Sequence, residues 1–251
     1  MKIKRVFEFT FNVLKFLVEL LKGQEYARYT LADIICGIIY PKYKFSDFGR
    51  IFLEDKEFLS WHKQYEPNDN FHTLDRKYTL NELIKLTKSI EGDTVECGVY
   101  QGASSYLICK NIVDTTKQHH IFDSFEGLSE PNSKDGSHWK MGDLSASEKI
   151  VRHNLSIFNN VHYYKGWIPS RFHEVEKLKF SFVHIDVDLY QPTKDSVDFF
   201  YERLSVGGIL LFDDYGFNTC PGAKLAIDEI FADKSEPIIL LPTGQSFIIK
   251  Q

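Results

Sequence analysis

Two pairs of carboxylates are candidates for metal binding or acid–base chemistry in this sequence. Each pair follows a run of apolar residues that is typical of a buried strand. Asp186 and Asp188 end the stretch 182–190, and Asp213 with Asp214 ends the next apolar run. Residues two apart in a strand point to the same side, so Asp186 and Asp188 are expected to face one pocket. The ends of neighbouring parallel strands meet at one edge of a sheet. Clustered carboxylates repel one another unless a cation or a proton is present. At neutral pH the pattern favours a divalent metal, most simply Mg²⁺.

A glycine-bearing turn predicts a second ligand site. The pattern of residues 94–105 predicts a short strand, a turn with Gly98 and Gly102, and the start of a helix. Glycine permits close backbone approach, and a helix N-terminus offers free N–H groups to a carboxylate or phosphate. The spacing departs from GxGxxG, which disfavours a dinucleotide. Asp123 ends the next strand, 119–122, where it is placed to bind both hydroxyls of a ribose or, alternatively, to cap a turn.

The elements that position these residues are predicted strands and helices that alternate along the chain. This alternation is typical of a doubly wound sheet. A capping-box pattern at residues 79–82 predicts a helix that runs to Ile90. The last two strands, 237–241 and 246–250, are close enough to pair as a hairpin. We therefore predict an α/β fold with a mostly parallel sheet and an antiparallel edge.

Two further segments are placed to contact a ligand. The polar loop 128–143 is expected to form a lid, since loops of this length in compact domains are usually functional. Gly166 and Trp167 follow the third predicted strand, where a nucleobase could lie against the indole.

Length, charge and cysteine content bound the class of protein. The 251 residues suffice for one large α/β domain with an added segment. With 30 basic and 35 acidic side chains, the formal charge is −5, so nucleic acid is not expected as a partner. The cysteines form no CxxC pair, and we expect reduced thiols in a cytoplasmic protein, without zinc or disulfides. They are Cys36, Cys97, Cys109 and Cys220.

The N-terminal segment is expected to be a helical extension, 1–75, before the main domain, 76–251. Residues 3–22 combine apolar residues with a polar stripe, which fits neither a signal peptide nor a membrane span. The stripe carries both signs of charge, so packing or dimerisation is favoured over contact with a membrane surface. Residues 23–75 are expected to be helical and loop-rich, and covering a substrate pocket is an alternative role for this extension.

Five motifs, in their order along the chain, resemble those of the macrocin O-methyltransferase family, which comprises sugar methyltransferases that depend on S-adenosylmethionine and Mg²⁺. The motifs are ECGVYQG at 96–102, FDSFEGL at 122–128, KGW at 165–167, HIDVDLY at 184–190 and FDDYG at 212–216. The resemblance implies a seven-stranded Rossmann-like fold and a homo-oligomer. It also implies a small-molecule acceptor whose hydroxyl belongs to a sugar, a glycosylated natural product or a polysaccharide precursor.

The resemblance also implies roles for single residues. Asp188 would be the general base, and Asp186, Asp213 and Asp214 would bind the metal. The residues implied to bind S-adenosylmethionine are Glu96, Gly98, Tyr100, Gly102, Ser104, Asp123, Ser124, Gly166, Trp167 and Asp186. A catechol-type phenol O-methyltransferase is an alternative, since it uses the same metal chemistry. A non-catalytic membrane-surface or assembly protein that keeps the fold is another.

Overall fold

A computed structural model describes residues 2–42, 52–65 and 73–251, with side chains from Asn12 onward except that of Glu25. The chain forms two compact units, Met1–Gln64 and Tyr65–Gln251. The division lies earlier in the chain than the boundary predicted between residues 75 and 76. Within the described residues, no helix is long and apolar enough to cross a membrane.

The described residues of the N-terminal unit are mainly helical. Helix α1 spans Lys2–Leu21, α2 spans Glu25–Ile39 and α3 begins at Lys56 and ends at Tyr65. Parts of the predicted extension, residues 43–51 and 66–72, lie outside the described residues. So do the side chains of the first half of α1, and the polar stripe of that helix therefore stays a prediction.

The second unit is built on a seven-stranded sheet with the order β3-β2-β1-β4-β5-β7-β6. Strands β1 to β5 pair in parallel and β7 runs antiparallel to both β5 and β6. This confirms the predicted fold with its antiparallel edge. The strands are β1 Asp93–Cys97, β2 His119–Asp123, β3 Val161–Lys165, β4 Phe180–Ile185, β5 Leu204–Phe212, β6 Ile239–Leu240 and β7 Ser246–Ile249.

Helices cover the sheet between its strands. They are α4 Leu74–Leu83, α5 Ala103–Ile112, α6 Glu148–Asn154, α7 Tyr190–Tyr201 and α8 Pro221–Phe231. Local sequence explains several of their starts: the Ser147 side chain accepts from the N–H of Ile150 at α6, and Pro221 occupies the first turn of α8.

The start of α4 was predicted wrongly. The capping-box pattern placed it at residue 79, but α4 begins at Leu74 after Thr73, and a 3₁₀ turn, Ile84–Thr87, follows it. Tertiary contacts override the local signal here, because Arg76 and Lys77 in the first turn of α4 form ion pairs with Asp213 and Asp186 of the same unit.

The core of this unit centres on β4, whose six residues are all buried. Phe180, Val183 and Ile185 of β4 pack with Phe122 of β2 and Phe200 of α7. A strand buried on both faces is typical of the centre of a parallel sheet. The core therefore fixes the carboxyl ends of β1, β2, β4 and β5 relative to one another.

Candidate active site

Glycine brings the ends of β1 and β4 into direct backbone contact. Gly98 has a φ of +79°, and an added Cβ would lie 1.9 Å from the carbonyl oxygen of Asp186. The N–H of Gly98 donates to the carbonyl of Phe122 at 2.9 Å. Only glycine fits at this position, because it combines positive φ with no side chain.

Asp123, at the end of β2, shapes the turn beside it. Its carboxylate accepts from the N–H groups of Val99, at 2.8 Å, and Phe125, at 2.6 Å. Burial raises the pKa of Asp123, and these hydrogen bonds oppose the shift. The carboxylate thus caps the turn, as in the alternative interpretation, while it also lines a cavity; ribose binding stays a prediction.

This cavity lies at the carboxyl ends of β1, β2 and β4 and contains most of the predicted cofactor-binding residues. The predicted residues that line it are Gly98, Tyr100, Asp123, Ser124, Trp167 and Asp186. The Ser124 hydroxyl donates to the carbonyl of Gly127 at 2.9 Å, which closes the turn after β2. Asp188 lies on the same wall.

Four predicted cofactor-binding residues do not line this cavity: Glu96, Gly102, Ser104 and Gly166. Glu96 is buried and binds Ser105 and, at 2.8 Å, His184, because alternation along β1 turns its side chain away from the turn. The Ser104 hydroxyl accepts from Lys77 at 2.7 Å. The two glycines have positive φ, and Gly166 donates its N–H to the carbonyl of Asp123 at 2.9 Å. These four residues support the site from behind.

The acidic residues after β4 do not continue the strand. Strand β4 ends at Ile185, and Asp188 has a φ of +58°. The expected strand alternation between Asp186 and Asp188 is therefore wrong, since a turn orients Asp188 instead. Its N–H donates to the carboxylate of Asp214 at 2.9 Å. The tips of β4 and β5 are joined by this hydrogen bond.

Two clusters form, where the sequence predicted one set of metal ligands. Asp186 and Asp213 group with His184, and Asp214 groups with Asp188 and Cys220; the potential ligand atoms within each group lie within 4.8 Å of one another. Neighbouring residues at a strand end point to opposite sides, which separates Asp213 from Asp214. The three predicted ligands therefore do not converge as a single close group in this structure.

Asp213 is the most heavily engaged carboxylate of the site. Its Oδ2 accepts from Arg76 at 2.7 Å, and its Oδ1 accepts from Gln245 at 2.7 Å and contacts His184 Nε2 at 3.3 Å. Lys77 of α4 lies 3.6 Å from Asp186. Helix α4 thus places two cations against two of the four carboxylates. No sequence pattern predicted that these basic residues would contact the acidic site.

The charges divide the carboxylates into two electrostatic types. Burial raises the pKa of Asp188 to about 7, and the charge of Asp186 adds to the shift. Burial, followed by the charge of Asp188, raises the pKa of Asp214 well above its ordinary value. Burial also acts on Asp213, but the charges of Arg76 and Lys77 outweigh it and hold the pKa of Asp213 well below its ordinary value.

A second cavity, of about 450 Å³, opens on the other side of the acidic residues. That volume lies within the range of small-molecule sites, about 300–1,000 Å³. Arg76, Trp139, Phe217 and Cys220 contribute to its walls. The residues shared by the two cavities are Tyr100, Leu144, Asp186 and Asp188. A ligand in either cavity would therefore lie beside Asp188.

The loop 128–143 contributes to both cavities. Leu128 and Ser129 line the first, and His138 and Trp139 line the second. The loop is closed at its base, where the N–H of Leu128 donates to the carbonyl of Asp143 at 2.8 Å. Compact loops of about 6–16 residues whose ends lie close together are frequently functional.

We expect Asp135→Ala to loosen this loop without unfolding the protein. Asp135 is 2% exposed, and its carboxylate accepts from the N–H groups of Tyr190, at 2.6 Å, and Asn132, at 2.8 Å. Hydrogen bonds to a charged group contribute about 1.5–3 kcal/mol each, so amide hydrogen exchange across the loop should accelerate by at least about tenfold. Asp233→Ala, at an exposed site, is the control; equal exchange in the two variants would contradict the anchoring role.

Comparisons with a family profile and with known proteins all identify O-methyltransferases. The sequence profile of the macrocin O-methyltransferase (TylF) family matches residues 74–236. The chain is 28% identical over 152 residues to the 8-demethyl-8-(2,3-dimethoxy-alpha-L-rhamnosyl)-tetracenomycin-C 4'-O-methyltransferase of Streptomyces olivaceus, covering 55% of this chain and 58% of that protein. It is 29% identical over 157 residues to the demethyldecarbamoylnovobiocin O-methyltransferase of Streptomyces niveus, with 56% and 58% covered.

Solved structures share the fold. The O-methyltransferase NovP superposes with a TM-score of 0.60 at 25% identity, covering 72% of this chain and 82% of that one. The calicheamicin methyltransferase CalS11 superposes with a TM-score of 0.63 at 17% identity, covering 81% and 86%. The sequence alignments to the Streptomyces relatives span less than two thirds of the length of either protein.

Proposed function

Because the chain belongs to the macrocin O-methyltransferase family, we propose that it transfers a methyl group from S-adenosylmethionine to a hydroxyl of a sugar or glycoside. The acceptor would be a glycosylated natural product or a polysaccharide precursor. Support comes from two relatives, whose names specify a rhamnosyl tetracenomycin and a novobiocin precursor as substrates.

One observation supports this proposal most directly: two cavities meet at Asp186 and Asp188. S-adenosylmethionine, when bound, supplies an electrophilic methyl group on a sulfonium. Displacement at that carbon requires the acceptor oxygen to lie behind the methyl group, in line with the bond that breaks. A cofactor cavity and an acceptor cavity that open on the same carboxylate provide that arrangement.

The first cavity would hold the cofactor. Asp123 would accept hydrogen bonds from the ribose, Trp167 would lie against the adenine, and Gly98 with Tyr100 would contact the methionine part. The positive φ of Gly98 and Tyr100 supports this role, because it turns the backbone at the cavity wall. Glu96, Gly102, Ser104 and Gly166 would act indirectly, through the contacts that orient these residues.

Asp188 would be the general base. Its carboxylate lies on the wall shared by the two cavities, where it could accept the proton of an acceptor hydroxyl. A pKa of about 7 suits this task, since the group is substantially ionised near neutral pH and still basic enough to take a proton. Tyr100 and Leu144, on the same wall, would exclude water from the reacting atoms.

The donor set fits a hard divalent cation by its chemistry, but its three carboxylates belong to two separate groups in this structure, so metal binding would have to draw them together. Asp186, Asp213 and Asp214 offer carboxylate oxygens, the ligands that Mg²⁺ prefers. Asp186 and Asp214 line the acceptor cavity, whereas Asp213 lies behind them and its Oδ2 accepts from Arg76. Such a cation would orient the acceptor oxygens and acidify the hydroxyl.

We also propose a cytoplasmic homo-oligomer. The four cysteines are free, which agrees with a reducing compartment. Exposed apolar side chains on α1 and α2, among them Leu17, Leu21 and Ile38, support contact with a second subunit. Membrane-surface contact by residues 3–22 is the alternative, and liposome sedimentation would distinguish the two.

Calorimetric titration of S-adenosylhomocysteine tests the proposed function. We expect micromolar binding, and at least about tenfold weaker binding, or 1.4 kcal/mol, for Asp123→Asn, because the amide cannot accept at both of its terminal atoms. Methyl transfer would then be screened with free sugars, nucleotide sugars and a catechol, with and without Mg²⁺. Failure to bind the cofactor would contradict the proposal, and turnover of the catechol alone would favour the phenol alternative.

A further inference from the structure

Cys220 connects the loop 128–143 with the proposed general base. The residue precedes α8 and is 2% exposed. Its Sγ lies 3.3 Å from Asp188 Oδ1 and 3.4 Å from Trp139 Nε1. Thr219 Oγ1 is a weaker neighbour at 3.5 Å. All four of these residues line the acceptor cavity, the second cavity described above.

The chemistry of the three groups fixes the direction of the hydrogen bonds. An indole N–H can only donate, and an ionised carboxylate can only accept. The thiol therefore accepts from Trp139 and donates its proton to Asp188. Burial, together with the charges of Asp214 and Asp188, raises the pKa of Cys220, so the sulfur keeps the proton it donates.

The position of Asp188 explains why such a contact matters. The residue lies in a turn with positive φ, and its N–H is held by Asp214. The Cys220 thiol donates a hydrogen bond to Oδ1 of the Asp188 carboxylate. The indole in turn belongs to a loop that Asp135 anchors to the start of α7, two residues after Asp188. Both ends of this short chain of contacts are thus fixed by separate elements.

We propose that Cys220 is a positioning residue, whose thiol orients the Asp188 carboxylate toward the acceptor and couples that orientation to docking of Trp139. The catalytic part of this inference rests on the proposed function, in which Asp188 accepts the proton. The contact itself does not rest on it.

Infrared spectroscopy of the thiol tests the contact in the full chain. The S–H stretch lies apart from other protein bands, and the spectrum of the protein minus that of Cys220→Ala isolates the band of Cys220. In alkaline buffer, where Asp188 is ionised, we expect a band displaced to lower frequency than that of a free thiol. Asp188→Ala should move it to higher frequency, and Trp139→Phe should move it less in the same direction. A band that does not respond to Asp188→Ala would overturn the inference.

Kinetics with the acceptor found in the screen test the positioning role. We expect Cys220→Ala to lower kcat by about tenfold with little change in the acceptor KM, since small misplacements of a reacting group cost up to about 10²-fold. Cys220→Ser, which can also accept and donate, should restore most of the rate. Cys36→Ala, at a partly exposed thiol of the N-terminal unit, is the control and should match the unmodified protein.

The outcomes separate the two proposals. A rise in acceptor KM with unchanged kcat would mean that Cys220 is only part of the cavity wall, and would overturn the positioning role. If the infrared band responds to Asp188→Ala but no acceptor is methylated by the unmodified protein, the proposed function fails and the catalytic part of the inference fails with it. The link between loop, thiol and carboxylate would stand in that case.

Discussion

Asp188→Asn is expected to slow methyl transfer by about 10²- to 10⁴-fold, the usual contribution of a general base. Asparagine has nearly the same shape as aspartate but cannot accept a proton at neutral pH. The carbonyl oxygen of the new side chain can still accept from Cys220, so the geometry of the acceptor cavity should survive. Loss of rate would therefore report the missing base.

Three measurements define this prediction. The rate should fall in kcat, and calorimetry should show that S-adenosylhomocysteine still binds, because the cofactor contacts assigned above lie on other residues. The melting temperature should not fall, since the change removes one charge from a crowded, buried cluster. Asp198→Asn, on the exposed side of α7, is the matched control and should leave kcat unchanged. If Asp188→Asn keeps more than a few per cent of the rate, Asp188 is not the general base.

The fold was predictable from the sequence because its signals are local and repeated. Apolar runs such as 207–212 predicted buried strands, and the hairpin at the C-terminus followed from the short connection between its two strands. Strand ends in a parallel sheet meet at one edge, so the convergence of acidic residues near Asp186 could also be predicted.

The orientation of individual side chains was less predictable. The stretch 182–190 gives no sign that the strand ends at Ile185, because Val187 continues the alternation. Asp188 has a positive φ, and its N–H donates to Asp214, a residue 26 positions later. Glu96 similarly belongs to the glycine motif by sequence, but His184 and Ser105 draw its side chain into the interior.

The individual side-chain contacts that other distant segments make with these strand ends could not be predicted. Arg76 binds Asp213 across 137 positions, and Trp139 binds Cys220 across 81. No pattern in one sequence connects such pairs, and Cys220 was expected only to be one of several reduced thiols. These contacts determine which carboxylates are charge-balanced and which are available for chemistry.

Gly98→Ala is expected to destabilise the protein by at least about 3 kcal/mol, the combined cost of positive φ and of overpacking. The new Cβ would lie 1.9 Å from the carbonyl oxygen of Asp186 and 3.1 Å from Val187 Cγ1. Both atoms belong to the segment that carries the acidic residues, and that segment directly follows the central strand β4. Neither can move without disturbing the core or the site.

The matched control for this variant is Gly142→Ala. Gly142 also has positive φ, +86°, but the nearest atom to an added Cβ is 4.0 Å away. It should therefore show the backbone cost alone, about 1 kcal/mol. Urea unfolding of the two variants would measure the difference, and titration with S-adenosylhomocysteine should show at least about tenfold weaker binding for Gly98→Ala only, equal to 1.4 kcal/mol. Similar unfolding free energies in both variants would mean that the ends of β1 and β4 can separate. The close backbone contact between them would then not be what holds Asp186 at the meeting point of the two cavities.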